Sequence, residues 1–271
     1  AELYRFLDGP NGVTESASVF TRVDVIQSVT RWRHTDADGV TRLIVVDPVE
    51  VERVTDRYLA SNAVVTLDAT AAQADAAIIR GDGKTVSTRP VETFTTLKAL
   101  KRQQRVLDWV HHTTPTTVGV VSPLVIEQTI LDSTLSGEQA ELVRQFCGTP
   151  RQARWAIGVA GAGKTFALKY ARQAWETAGW RVLGTAVSAR ATGELSDSIP
   201  AETLARMLTI YEESMRNPLD ARTVLVVDEA GTLSDADMAR LIHMATDAGA
   251  VVRFVGDPAQ HGSVNAGGLF T

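Results

Sequence analysis

Two stretches of this sequence carry residue types at spacings that do phosphate chemistry. The first is GVAGAGKT, Gly158 to Thr165, which fits G-x-x-x-x-G-K-[ST]. A strand-like run, RWAIGV, leads into it, and a helical run, TFALKYARQAWETAG, leads out. Gly158, Gly161 and Gly163 let a backbone wrap closely around a phosphate with its amides turned inward. The helix that starts here adds the positive end of its dipole. Lys164 is placed for the β- and γ-phosphates and the Thr165 hydroxyl for Mg²⁺. The second stretch is TVLVVDEAG, an apolar strand ending in Asp228 and Glu229. Asp228 suits Mg²⁺, and Glu229 suits a general base that polarises the attacking water. The bland alternatives are a glycine turn that happens to carry a lysine and a solvated acidic turn. Their joint occurrence among alternating strands and helices favours a site for Mg-bound nucleoside triphosphate. A third stretch, VGDPAQ, ends another apolar run. Gln260 donates and accepts without neutralising an acid, so it can contact a γ-phosphate or its water. A turn or helix cap, for which Asp257 is suited, is the competing role.

The elements that must position these residues are legible as patterns. From residue 134 onward, RWAIGV, RVLGTAV, TVLVVDEA and AVVRFVGD read as buried strands separated by helical segments. Continuous apolar strands alternating with helices predict an α/β fold with a parallel sheet covered on both faces. All three motifs then fall at the C-terminal edge of that sheet, where such folds bind ligands. Residues 1–112 read differently. SVFTRVDVIQSVTRW is helical, with Ser18 or Thr21 as cap and Phe20, Val23, Ile26 and Val29 as its apolar face. DPVEVERVTDRYLA starts a helix with Asp47 as N-cap and Pro48 at the first position, with Val51, Val54, Tyr58 and Leu59 inward. AIIRGDGKTVSTR reads as a hairpin turning at Gly81-Asp82-Gly83, and ETFTTLKALKRQQRVLDWVHH as a helix with Leu97, Leu100 and Leu107 on one side. Together they predict a small α+β, winged-helix-like domain. HTTPTTVGVVSP places a linker over residues 113–133, before a nucleotide-binding domain at 134–271. On the last helix of the first domain, Lys98, Lys101, Arg102 and Arg105 share a face without an acid, either solvated or in contact with phosphate.

The chain has 271 residues, 44% hydrophobic and 22% charged, as in ordinary globular domains, with a net charge of −5. That charge gives no global attraction to nucleic acid, so any DNA contact needs a concentrated basic face. No apolar run reaches the length of a membrane span, and AELYRFLDGP lacks a signal pattern, so membrane insertion is not expected. The single cysteine, Cys147, cannot form an internal disulfide and reads as a buried apolar residue of a cytoplasmic protein. His34, His111, His112, His243 and His261 are scattered and do not predict a metal cluster.

Several stretches in order resemble superfamily 1 helicases of the RecD-like branch. TLSGEQAELV is similar to the adenine-reading Q motif, with Gln139 in the reader's place; GVAGAGKT, TAVSARATGEL, VVDEAG and VGDPAQ are similar to motifs I, Ia, II and III. The resemblance is closer still to the helicase region of MobF-type conjugative relaxases, the TraA/TrwC/TraI group, on GPNGVTESASVF, FTRVDVIQSV, TFTTLKAL and VNAGGLF. One departure is His261-Gly262, where Leu-Pro is usual. The resemblance implies a RecA-like first lobe that binds ATP and Mg²⁺ through Gln139, Gly158, Gly161, Ala162, Gly163, Lys164, Thr165 and Phe166, with metal at Thr165 and Asp228. It implies catalytic roles for Lys164, Glu229 and Gln260, and contact with single-stranded DNA by Ser188 and Arg190, to which the basic face Lys98, Lys101, Arg102 and Arg105 adds. It also implies 5′-to-3′ movement, a second RecA-like lobe carrying arginine fingers, a relaxase domain in the parent chain, and conjugation machinery as partner. The 271 residues alone are then expected to bind Mg-ATP and hydrolyse it poorly. A nucleotide- and DNA-binding module without turnover is the alternative function, and a phosphate-loop kinase of small molecules a third.

Overall fold

The computed structural model describes residues 2–9, 12–14, 18–35, 41–43, 47–67, 78–79, 85–86, 92–111, 115–157, 163–214 and 216–256. The chain divides into two compact units, Ala1–Gln104 and Arg105–Thr271.

In the first unit, helix α1 (Glu2–Leu7) precedes strand β1 (Phe20–Thr21) and helix α2 (Arg22–Arg31). Thr21 and Asp24 close a reciprocal capping box at the start of α2. The buried face of α2 runs through Val25 and Val29, with Phe20 already in β1, so Val23 is left exposed rather than inward as expected. A hairpin, β2 (Arg33–Thr35) and β3 (Thr41–Leu43), separates it from α3 (Pro48–Leu59). Helix α3 starts at the expected cap, Asp47, whose carboxylate accepts the Val49 amide at 3.0 Å. Its inward residues are Val51, Thr55 and Tyr58. Strand β4 (Val64–Leu67) follows; β5 (Ile78–Ile79) and β6 (Thr85–Val86) pair antiparallel; β7 (Thr93–Thr96) leads into α4 (Leu97–His111). The expected turn at Gly81–Gly83 lies outside the described residues. Strands order as β1-β7-β4, all antiparallel, with α2 and α3 inserted before β4 and the β5–β6 pair before β7. This is an α+β arrangement. Its core joins Leu7, Phe20, Val25, Val29, Val51, Tyr58 and Phe94.

In α4 the buried positions are Ala99 and Val106, while Leu97, Leu100 and Leu107 stay partly exposed. The small Ala99 lets the helix approach closely, and half-buried Arg102 lies on the inward side. The boundary between the units falls inside α4 rather than after it at residue 112, and Val106 belongs to a core cluster of the second unit. The segment expected as a linker, 113–133, also needs correction. It contains helix α5 (Pro123–Leu131), capped by Ser122, and sends Val121 and Ile126 into the core. Pro123 here occupies the first helical position, where its missing amide is harmless, rather than breaking the chain.

The second unit continues with α6 (Gly137–Cys147), β8 (Ala153–Ile157), α7 (Lys164–Thr177), β9 (Arg181–Ala186), α8 (Ala189–Ser196), β10 (Ala201–Thr203), α9 (Leu204–Glu213), β11 (Thr223–Val227), α10 (Asp235–Ala248) and β12 (Val251–Gly256). The five strands form one parallel sheet ordered β10-β9-β11-β12-β8. One face packs Leu225, Val227, Val252 and Phe254 against α9 and α10 through Met207, Leu208, Leu241 and Ala245. The other packs Val224, Val226, Val251 and Val255 against α6 and α7 through Phe146, Leu168, Ala171 and Trp175. Coverage on both sides explains the unbroken apolar strands. This is the α/β fold with a parallel sheet anticipated from the pattern, and it fits the RecA-like phosphate-loop lobe that the resemblance implies.

Candidate nucleotide site

The sheet order decides which motifs meet. Strand β12 lies between β8 and β11, with Gly256 opposite Ile157 and Val227 opposite Phe254. The strand leading to Gly158, the strand leading to Asp228 and the strand leading to Asp257 and Gln260 are therefore neighbours ending on one edge. Gly158, Gly161, Ala162 and Gln260 lie outside the described residues.

At the described end of the loop, Gly163 adopts a left-handed conformation, φ 69°, as N-cap of α7. No side chain caps this helix. By contrast, Thr21, Ser122, Ser136, Ser188, Thr203 and Ser234 cap α2, α5, α6, α8, α9 and α10. A helix start without a side-chain cap keeps its amides available for an anion. A Cβ on Gly163 would lie 2.2 Å from Gln139 Nε2 and displace that side-chain end, and the positive φ itself favours glycine here. Lys164 and Thr165 form the first turn, both half-buried. Phe166 is 39% exposed and meets Tyr170 edge-on at 5.2 Å.

Gln139 is the third residue of α6 and half of its capping box. Its Oε1 accepts from the Ser136 amide at 3.0 Å, and the Ser136 hydroxyl accepts from the Gln139 amide at 3.3 Å. Its Nε2 donates to the Gly163 carbonyl at 3.4 Å. The structure thus brings Gln139 to the phosphate loop, seated on the residue where α7 begins.

Asp228 and Glu229 follow β11. The Asp228 amide donates to the Thr185 carbonyl of β9 at 2.9 Å, which extends the ladder to the sheet edge. Asp228 Oδ1 accepts the Glu229 amide at 2.9 Å. Burial pushes the Asp228 carboxyl above its ordinary range, against the pull of the Glu229 amide and of Lys164. That Lys164 is felt at Asp228 ties the first turn of α7 to the end of β11. Burial also raises Glu229, helped by Asp228 and Glu194 and opposed by Arg190. Glu229 has φ 50° and ψ 36°, the one non-glycine residue at positive φ among the described residues. That conformation costs an L-residue about 1–2 kcal/mol, and strain of this kind concentrates at functional positions.

Of the residues expected to contact DNA, Ser188 is exposed at the N-cap of α8, where its hydroxyl accepts from the Ala191 amide at 3.0 Å. The Arg190 side chain is 88% exposed and donates to Glu194 at 2.9 Å. The basic face of α4 is partly used within the first unit: Lys98 Nζ donates to the Asp8 carbonyl at 3.0 Å and Arg102 Nη2 to the Thr14 carbonyl at 3.2 Å. Lys98, Lys101 and Arg105 remain exposed. Sequence reading missed Glu194, which acts on both acids; its i, i+4 spacing from Arg190 was the available signal.

Comparison with known proteins agrees with this geometry. Residues 134–271, about half of the chain, match the AAA domain family. A probable conjugal transfer protein TraA of Sinorhizobium fredii is 42% identical over 140 residues, 51% of this chain and 12% of that protein. Conjugal transfer proteins TraA of Rhizobium radiobacter and Agrobacterium fabrum are 37% and 40% identical over 153 and 139 residues, 55% and 50% of this chain and 14% and 12% of theirs. The match therefore spans only a small part of each relative. Among the described residues, no helix is long and apolar enough to cross a membrane.

Proposed function

Since the chain belongs to the AAA domain family and gathers its phosphate-handling residues on one sheet edge, we propose that it is the ATP-binding lobe of a DNA motor working in conjugative transfer. The observation that carries this reading is the pairing, on one sheet edge, of the α7 start with Asp228 and a strained Glu229, whose strand is separated from β8 only by β12. The donor set fits Mg-ATP: helix amides and an ammonium for phosphates, and a hydroxyl with a carboxylate for a hard cation. Thr165 and Asp228 would hold Mg²⁺, which supplies charge neutralisation at the phosphates. Lys164 binds and orients the terminal phosphates. Glu229 accepts the proton of the attacking water, and its raised pKa makes it a better base than an exposed carboxylate.

The finer reading is a helicase or translocase of the RecD-like, MobF-type kind moving 5′ to 3′, with a second RecA-like lobe and a relaxase domain in a longer parent. The names of the relatives support conjugation, and the residue resemblance supports the rest. Ser188 and Arg190 of the second unit would contact single-stranded DNA, and the exposed cations of α4 are a separate set that suits phosphate. The test uses the chain for binding and the full-length parent for turnover. Lys164→Ala is expected to abolish binding of a fluorescent ATP analogue. Glu229→Gln is expected to keep binding while DNA-stimulated hydrolysis falls by about 10²–10⁴-fold. Turnover in the parent that survives both substitutions overturns the reading.

A further inference from the structure

Arg253 is a charged side chain in the wrong place by ordinary rules. It sits in β12, in the interior of the parallel sheet, with 0% of its surface exposed. Its partners are carbonyl oxygens. Nε donates to Phe146 at 3.0 Å; Nη1 donates to Arg151 at 3.2 Å and to Val252 at 3.1 Å, with Gln152 at 3.5 Å. Nη2 has no hydrogen-bond partner among the described residues. Burial pulls the guanidinium down to about 10, against the nearby Cys147 and with the help of Arg154, so it stays charged at neutral pH. Burying a cation against carbonyls alone is expensive, and an apolar side chain of similar size is the cheaper core residue. Such a group persists when its directed donors do something hydrocarbon does not.

The three places it holds answer what that is. Phe146 is in the last turn of α6, where carbonyls lack intrahelical partners. The neighbouring Cys147 carbonyl is taken by the Val121 amide at 2.8 Å. Arg151 and Gln152 immediately precede β8, the strand that leads to the phosphate loop. Arg253 itself belongs to the strand that delivers Asp257 and Gln260. Helix α6 has 11 residues and is thus about 16 Å long. Its far end presents Gln139 to Gly163. Close packing leaves the guanidinium little freedom: a Cβ on Gly119, which has φ 71°, would lie 2.7 Å from Val251 Cγ2 and 3.4 Å from Arg253 Nη2.

We propose that Arg253 is a positioning residue that locks α6 to β12 and to the residues entering β8 and thereby fixes where Gln139 meets Gly163 at the start of α7. The proposal rests on the nucleotide site proposed above and adds a residue that touches neither nucleotide nor metal. Because a helix moves as a rod, slack at the Phe146 end becomes displacement at the Gln139 end.

The experiment is a double-mutant cycle on the whole chain, read as affinity for a fluorescent ATP analogue at 20 °C and as preference for ATP over GTP in competition. The variants are Arg253→Lys, Gln139→Ala and the pair. Lysine keeps the charge and reach and loses the fork. Each single variant is expected to weaken binding by about tenfold, and the pair by no more than the worse single, since coupled residues do not add. The preference for ATP over GTP is expected to fall by the same factor in Arg253→Lys as in Gln139→Ala. Where Arg253→Lys does not fold, Arg253→Met, which replaces the cation with hydrocarbon, carries the same cycle. Losses that multiply in the pair overturn the proposal. So does a variant that melts earlier while its affinity and base preference at 20 °C stay unchanged, because that is a purely structural role. A wild-type chain that binds no ATP analogue overturns the nucleotide site first and this inference with it.

Discussion

The strain at Glu229 gives a prediction whose sign differs from that at an ordinary loop position. At an unstrained position, Ala→Gly destabilises by about 0.4–1 kcal/mol, because glycine gains freedom in the unfolded chain. At φ 50° and ψ 36° the alanine Cβ carries the left-handed penalty of about 1–2 kcal/mol, which glycine escapes. Taking the difference of the midpoints, Glu229→Gly should be more stable than Glu229→Ala by about 0.8 kcal/mol. For a unit of this size, that is about 1–4 °C in melting temperature. Both variants lack the carboxylate, so the electrostatic consequences of removing it cancel in the comparison. Tryptophan fluorescence suits the measurement, since Trp109, Trp155, Trp175 and Trp180 all belong to the second unit and only Trp32 to the first. Neither variant should support hydrolysis in the parent. A Glu229→Gly chain that melts at or below Glu229→Ala refutes the view that the fold holds this residue against its preference. It would also remove strain as a reason to single out Glu229.

Glycines at two other positions should respond oppositely to alanine. Gly193 lies in α8, where an added Cβ would meet nothing within 4 Å, so Gly193→Ala should stabilise by about 1 kcal/mol in thermal unfolding. Gly163→Ala should destabilise and weaken ATP-analogue binding, since its Cβ meets Gln139 Nε2 at positive φ. Asp220 accepts from Thr223 Oγ1 and the Arg222 amide, and the Thr223 hydroxyl first, then that amide and Arg181, hold its carboxyl below its ordinary value of 3.8. A carboxyl lowered in the fold stabilises above its unfolded pKa and loses that contribution as pH falls through the folded value. Asp220→Asn should therefore melt earlier than wild type at pH 7, with the gap closing below pH 3.8. Cys147 is buried and its thiol is pushed up by that burial, so a thiol reagent should label it only as fast as the second unit opens.

How far the sequence speaks depends on whether the chemistry itself constrains spacing. The places of Lys164 and Thr165 at a helix start and of Asp228 and Glu229 after a strand were legible, because a glycine-rich run and an apolar run lead into them. The parallel sheet was legible because two-sided burial leaves unbroken apolar runs. Strand order was not, since nothing local in VVRFVGD says that β12 inserts between β8 and β11. Helix α5 was hidden by Pro123, which reads as a break until Ser122 is seen to cap the turn behind it. The buried positions of α4 were not legible, because its leucines share a side but stay partly exposed, whereas Ala99 is buried through its small size. Arg253 was invisible: a charge in a strand reads as outward-facing, and its partners are backbone carbonyls that carry no sequence signature.

Ser188 poses a separable question, because it holds a structural post and a proposed functional one. Strand β9 bonds to the end of β11 through Thr185 and runs directly into Ser188, whose hydroxyl caps α8. Removing such a cap costs about 1 kcal/mol, so Ser188→Ala lowers stability whether or not DNA passes there. Aspartate caps a helix as well as serine does, and its charge suits the helix start. Ser188→Asp therefore keeps the fold while setting an anion where a DNA phosphate would lie. If Ser188 lines the path of single-stranded DNA, Ser188→Asp should melt like wild type and lose oligonucleotide affinity in fluorescence anisotropy, most visibly at low salt, where phosphate contacts weigh most. A Ser188→Asp chain that melts like wild type and binds the oligonucleotide as tightly assigns Ser188 to the helix end alone. The DNA contact of α8 would then have to come from Arg190, whose exposed side chain can exchange Glu194 for a phosphate without disturbing the fold.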